Sequence, residues 1–178
     1  ILEKKGCLST MKLQKLCYYA QAWSLVWDDA PLFDDDFEAW ANGPVCPTLF
    51  RATQGNYSVT AKDEKGDSSN LSANQKDTID TVLAHYGDKN AQWLSQLTHM
   101  EDPWNNARKG IPAGVGCNRI ITKESMAEYY GDYPCHRVVN HAGRLVPGWL
   151  EQRLLLEAEQ VVMKDDRHVD LKKCRWDY

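Results

Sequence analysis

A mainly α fold (α+β), a helical domain with a minor β-hairpin component, is what this sequence predicts, and three observations carry that expectation. Leu13, Leu16, Ala20, Trp23 and Trp27 recur at helical spacing behind a capping serine or threonine. Ser72-Ala73-Asn74-Gln75 has the capping-box form, and Ile79, Val82, Leu83 and Tyr86 follow it on one helical face. Strand-like alternation is confined to short runs beside turn residues, which limits the β part to hairpins. The sequence closes with a small hairpin, helix and hairpin appendage.

In chain order, Ser9 or Thr10 caps a helix to about Trp27, the best amphipathic helix of the chain. Asp34-Asp35-Asp36 and Trp40-Ala41-Asn42-Gly43-Pro44 break the pattern with turn residues, and Pro47 opens a short helix toward Ala52. Residues 55–70 are polar and read as an exposed loop or weak hairpin. The capped helix from Ser72 runs to Tyr86, where Gly87 supplies a C-terminal stop. A further helix covers Asn90 to Thr98, Asp102-Pro103-Trp104 turns the chain, and Gly110, Gly114 and Gly116 mark a loop before Ile120-Ile121. Thr122 caps a helix to Tyr130, ended by Gly131. Beyond it, Ala142-Gly143 forms a hairpin turn between Val138-Val139 and Arg144-Leu145, and Pro147 starts a helix with Leu150, Leu154 and Ala158. A terminal hairpin through Val161 to Leu171 turns at Asp165-Asp166. The seam at Gly131-Asp132 divides residues 1–131 from residues 132–178.

The chain of 178 residues is of single-domain size and is 43% hydrophobic, with seven Trp and eight Tyr. That composition specifies a folded, aromatic-rich protein. No apolar run approaches a membrane span and the opening residues lack a signal peptide's apolar stretch, so a cytoplasmic location and no membrane partner are expected. The net charge of −4 falls within residues 1–131, and the remainder balances. Neither part has the charge of a polyanion-binding surface, so DNA is not an expected partner. Six cysteines are scattered without a CxxC pair. A zinc site from Cys135, His136, His141, His168 and Cys174 lacks ligand spacing, and neither metal nor cofactor is expected.

Pro134-Cys135-His136-Arg137-Val138-Val139-Asn140 places a thiol beside a base and a cation, the setting that favours the thiolate. With Gly143-Arg144-Leu145-Val146-Pro147-Gly148-Trp149, the helix through Glu159, Val169-Asp170-Leu171 and Trp176, it resembles the C-terminal end of the alkylguanine-DNA alkyltransferases and alkyltransferase-like proteins. That resemblance implies Cys135 as alkyl acceptor, His136 as its base through water and Glu159 as the carboxylate orienting the histidine, in a methylated-DNA-protein-cysteine methyltransferase reaction. The helix-turn-helix that flips the base in that family has no counterpart in Ser125 to Tyr133, nor do its intercalating arginine and active-site asparagine. DNA repair at Cys135, or inactive alkyltransferase-like DNA binding, therefore stands as the alternative function.

A second resemblance covers residues 1–131. Met11 to Trp23, Pro31-Leu32-Phe33, Glu38 to Val45, Asp102-Pro103-Trp104 with Ala107-Arg108, and Ile120 to Tyr130 follow one another in the order found in the Panacea domain. That family is also described as SocA-like or as phage-associated GepA-type proteins. The resemblance implies a predominantly helical, non-catalytic antitoxin, encoded on a prophage or mobile element, that neutralises a cognate toxin by direct protein-protein binding. A protease is a further implied partner, through a proteolytic-adaptor branch of the family.

From the residues themselves, Lys12 and Lys15 with Tyr18 and Tyr19 offer a basic and aromatic helix face, and Trp40 and Asn42 an aromatic turn. Such side chains suit a partner-binding surface, since aromatic anchors supply much of the energy of an interface. The same residues equally form a core helix with a solvated lysine edge and a buried corner.

Overall fold

The computed structural model describes residues 1–63, 66–131, 139, 142–145 and 150–174. A short helix α1 (Leu2–Lys5) and strand β1 (Leu8–Ser9) lead into α2 (Thr10–Trp27), around which the rest is built. The Ser9 side chain accepts the Lys12 amide at 3.3 Å, supplying the expected N-cap. Leu13, Leu16, Ala20, Ala22 and Trp23 are buried, as are Gln14, Lys15, Tyr18, Tyr19, Gln21 and Ser24. The expected amphipathic helix is therefore a central one, covered on most of its circumference.

The cover consists of β2 (Phe37–Trp40), β3 (Gly43–Val45), α3 (Pro47–Thr53), β4 (Ser58–Val59), α4 (Ala73–Tyr86) and α5 (Ala91–His99). It is completed by α6 (Asp102–Ala107), β5 (Ile120–Ile121) and α7 (Lys123–Gly131). The predicted starts are observed where the cap is local. Ser72 and Gln75 form the reciprocal capping box of α4, Asn90 accepts the Trp93 amide, and Thr122 accepts the Ser125 amide at 3.1 Å. α4 and α7 lie against α2, and Tyr19 stacks on Tyr86 with ring centroids 4.3 Å apart.

Gly87 stops α4 as expected, serving as its C-cap in right-handed backbone (φ −64°). Two expectations are corrected. Asp102-Pro103-Trp104 is the first turn of α6, because Pro sits without cost at the start of a helix whose first amides have no internal partner. The polar stretch 55–70 supplies β4, which pairs antiparallel with β1 through Leu8 and Val59 and buries both.

The sheet order is β3-β2-β5, antiparallel throughout, with Trp40 opposite Gly43, Glu38 opposite Val45 and Phe37 opposite Ile121. Along β2 the faces alternate: Phe37 and Ala39 are buried in the core, whereas Glu38 and Trp40 face outward.

Farther on, α8 (Leu150–Ala158), β6 (Met163–Asp165), β7 (His168–Val169) and α9 (Leu171–Cys174) surround a separate small cluster of Leu145, Leu156 and Val169. The terminal hairpin is the expected one, but α9 replaces its continuation through Leu171. Residues 143–145 meet 167–169, through Val169 N–H to the Gly143 carbonyl and Leu145 N–H to the Arg167 carbonyl. Arg144 crosses to α4, donating to Asp77 at 2.8 Å and Asn74 at 3.1 Å. Val138 and Pro147, expected in a strand and at a helix start, lie outside the described residues.

Candidate functional site

The buried polar side chains of α2 grip backbone. Gln14 donates to the Cys46 carbonyl and accepts the Cys46 amide at 2.8 Å, which copies a strand pairing with one side chain. Lys15 Nζ donates to the Pro44 carbonyl at 2.8 Å. A full turn and more along the helix, Gln21 accepts the Leu32 and Phe33 amides and donates to the Phe33 carbonyl, and Ser24 donates to the Ala30 carbonyl. Gln14, Lys15, Gln21 and Ser24 are thereby satisfied; the first two hold β3 and the start of α3, and the last two fix residues 30–33, which form neither helix nor strand. The turn 41–46 is held most closely. Gly43 has φ +98°, and a Cβ there would lie 2.7 Å from Thr98 Oγ1 and 2.8 Å from Lys15 Cε.

Outside this turn lies a cavity of about 650 Å³, walled by the first turns of α2, the outer face of β2, the 41–45 turn, α3 and the loop 114–118. Its rim is exposed at Asn42, Phe50, Gly114, Gly116 and Asn118, so it opens to solvent. Trp40 Nε1 donates to Glu38 Oε2 at 2.6 Å, and the Phe50 ring stands edge-on to Trp40 with centroids 4.8 Å apart. The Trp40 carbonyl accepts Trp104 Nε1 at 2.9 Å, which ties the strand to α6. Buried Arg108 fixes the loop wall, donating to the Ala39, Pro112 and Val115 carbonyls at 2.7, 3.2 and 2.6 Å while its guanidinium covers the Trp104 ring. An open concavity with aromatic and aliphatic walls and a few oriented polar groups is suited to binding.

Of the six residues expected to bind a partner, the structure brings three to this cavity: Lys15 on its floor, and Trp40 and Asn42 on its side and rim. Lys15 is a floor residue rather than part of a solvated edge. It is 1% exposed, and burial pushes its ammonium down from 10.5 to about 7. Lys12 is half-buried, with Nζ donating to the Gly87 carbonyl at 2.7 Å, and burial lowers its pKa. Tyr18 and Tyr19 are corrected outright: both are fully buried and present no surface to a partner. Tyr18 packs against Phe37 and Tyr130. Tyr19 OH donates to Glu101 at 3.1 Å, where Tyr130 OH also donates at 2.7 Å. Burial raises the Glu101 carboxyl to about 7, against the opposing pull of those two hydrogen bonds.

Sequence reasoning missed Glu38, Phe50 and the 114–118 loop as parts of the site. The alternation Phe37-Glu38-Ala39-Trp40 is a strand signal that places Glu38 on the same face as Trp40. For Phe50 and the loop no local signal exists, since tertiary packing alone brings them there.

Cys135 and His136 lie outside the described residues, and Glu159 is exposed just past the end of α8. Among the described residues no group of three or more histidine, cysteine or acidic side chains is placed to hold a metal, and no helix is long and apolar enough to cross a membrane.

Residues 13–105 match the family model described as Antitoxin SocA-like, Panacea domain. A relative named Antitoxin SocA, from Caulobacter vibrioides (strain NA1000 / CB15N), is 29% identical in a 142-residue alignment covering 68% of this chain and 76% of that protein. No solved structure matches the chain. The matched span contains α2 from Leu13 onward, the β2–β3 turn and α3, and therefore the cavity walls except Thr10, Met11 and the 114–118 loop.

Proposed function

We propose, from the premise that this chain belongs to the SocA-like antitoxin family of Panacea domains, that it neutralises one cognate toxin by direct protein-protein binding. The surface we assign to that binding is the open face formed by Trp40, Asn42 and Phe50, with Glu38 beside them. The single observation that carries the assignment is the exposed aromatic cavity, largely inside the matched region, standing on a turn that two buried side chains, Gln14 and Lys15, hold rigid. Rigid support favours binding because little conformational freedom is lost when a partner docks. The toxin is encoded beside this chain, on a prophage or other mobile element, and both act in the cytoplasm. Delivery of the bound toxin to a protease is a further outcome open to such a complex.

Co-expression with the product of the adjacent gene tests this reading. Growth should be restored and the two proteins should co-purify at a fixed ratio. A toxic neighbour that is neither bound nor relieved overturns the reading for that pair.

A further inference from the structure

We infer that the outer face of β2 is a receptor for a cationic side chain, arginine or lysine, carried by the partner protein, an inference that rests on the antitoxin reading above. Glu38 and Trp40 are two residues apart on a strand and so share one face, and the 2.6 Å bond from Trp40 Nε1 sets the carboxylate beside the indole. Phe50, 39% exposed, stands edge-on to the same indole. Two aromatic rings with a carboxylate at their side form a surface to which a cation is drawn by ring quadrupole and charge together.

The charges of the cavity point the same way. Glu38 and Lys15 are the ionisable basic or acidic side chains on its walls. The Lys15 ammonium donates to the Pro44 carbonyl at 2.8 Å, and burial lowers its pKa to about 7, which weakens its positive charge at neutral pH. Among the described residues no basic side chain forms an ion pair with Glu38. The nearby Arg108 and Arg119 are committed to backbone carbonyls. The loop wall contributes glycine, cysteine and asparagine and adds no positive charge. A cavity of about 650 Å³ also has room for the apolar neighbours of that cationic side chain against Met11 and Val45.

The test is calorimetric titration of the full chain and its Glu38→Gln variant with the product of the adjacent gene. Glutamine keeps a carbonyl oxygen to accept the Trp40 Nε1 hydrogen bond, so the fold is preserved while the charge is lost. Binding should weaken by roughly tenfold or more, because an enclosed partner charge is left unpaired. Glu38→Arg should abolish binding, and one arginine- or lysine-to-glutamate change on the partner should restore it. For the unmutated pair, raising salt from about 50 to 500 mM should weaken binding several-fold. Glu38→Gln binding within twofold of the unmutated chain, while Phe50→Ala binds poorly, overturns the inference in favour of a purely apolar anchor and leaves the antitoxin reading standing. A salt-independent affinity also overturns it. No binding by the unmutated chain overturns the antitoxin reading and this inference with it.

Discussion

The buried side of α2 and the outer face of β2 are built from the same classes of side chain, aromatic and polar, and they do opposite things. On α2, Gln14, Lys15, Gln21 and Ser24 spend their hydrogen-bonding groups on neighbouring backbone and are closed to solvent. On β2 and α3, Trp40 and Phe50 leave an aromatic surface open beside a carboxylate. What separates scaffold from the proposed binding surface is therefore where the polar groups sit, turned inward onto backbone or held at an open face. Composition alone does not decide it.

The sharpest way to break the scaffold side is Gly43→Ala. Left-handed backbone and a Cβ crowded by Thr98 and Lys15 together should cost about 3–5 kcal/mol in urea denaturation. A loss below about 1 kcal/mol would mean that the turn is slack. Next is Gln21→Met, which keeps the side-chain volume but leaves the Leu32 and Phe33 amides and the Phe33 carbonyl without their partner. The expected cost is about 2–3 kcal/mol, and a neutral outcome would show that water replaces the glutamine.

The pH dependence of stability divides the scaffold further. Glu101 has its folded pKa raised from 4.5 to about 7, so its contribution is complete below 4.5 and is lost as pH rises through about 7. Lys15 has its folded pKa lowered from 10.5 to about 7, so its contribution is complete above 10.5 and is lost as pH falls through about 7. Together they make the fold least favourable near neutrality, each by ~1–3 kcal/mol. Urea midpoints across pH should lose the acid-side fall in Glu101→Gln and the alkaline rise in Lys15→Met. Unchanged profiles would contradict the burial of these groups.

The smallest stability effect belongs to the open face. Phe50→Ala should change stability by less than about 1 kcal/mol because the ring is partly exposed already. Affinity for the partner should nevertheless fall by roughly tenfold. Equal losses of stability and affinity would make Phe50 scaffold and erase the contrast.

Much of the helical layout was legible because helix starts are decided locally: Ser9, Ser72, Asn90 and Thr122 each cap with a side chain three residues from its partner. The role of the α2 polar residues was not legible, since Gln14 meets Cys46 and Tyr19 meets Glu101 only after the chain has folded. The spacing of Lys12, Lys15, Tyr18 and Tyr19 looked like an interface because helical periodicity reports a shared face without saying what covers it. The pairing of β1 with β4 was equally hidden, as two-residue strands carry no periodic signal. Trp40 and Asn42 were found at the site because a turn aromatic is a local feature. Phe50 and the 114–118 loop join it through packing alone.

The most direct test of the central claim is amide hydrogen exchange of the full chain, free and in complex with the product of the adjacent gene. Binding through the open face predicts new protection in residues 38–51 and 114–118, with no change in α8. Protection confined to α8 and the hairpin of residues 163–169, with residues 38–51 exchanging as in the free chain, would contradict the account.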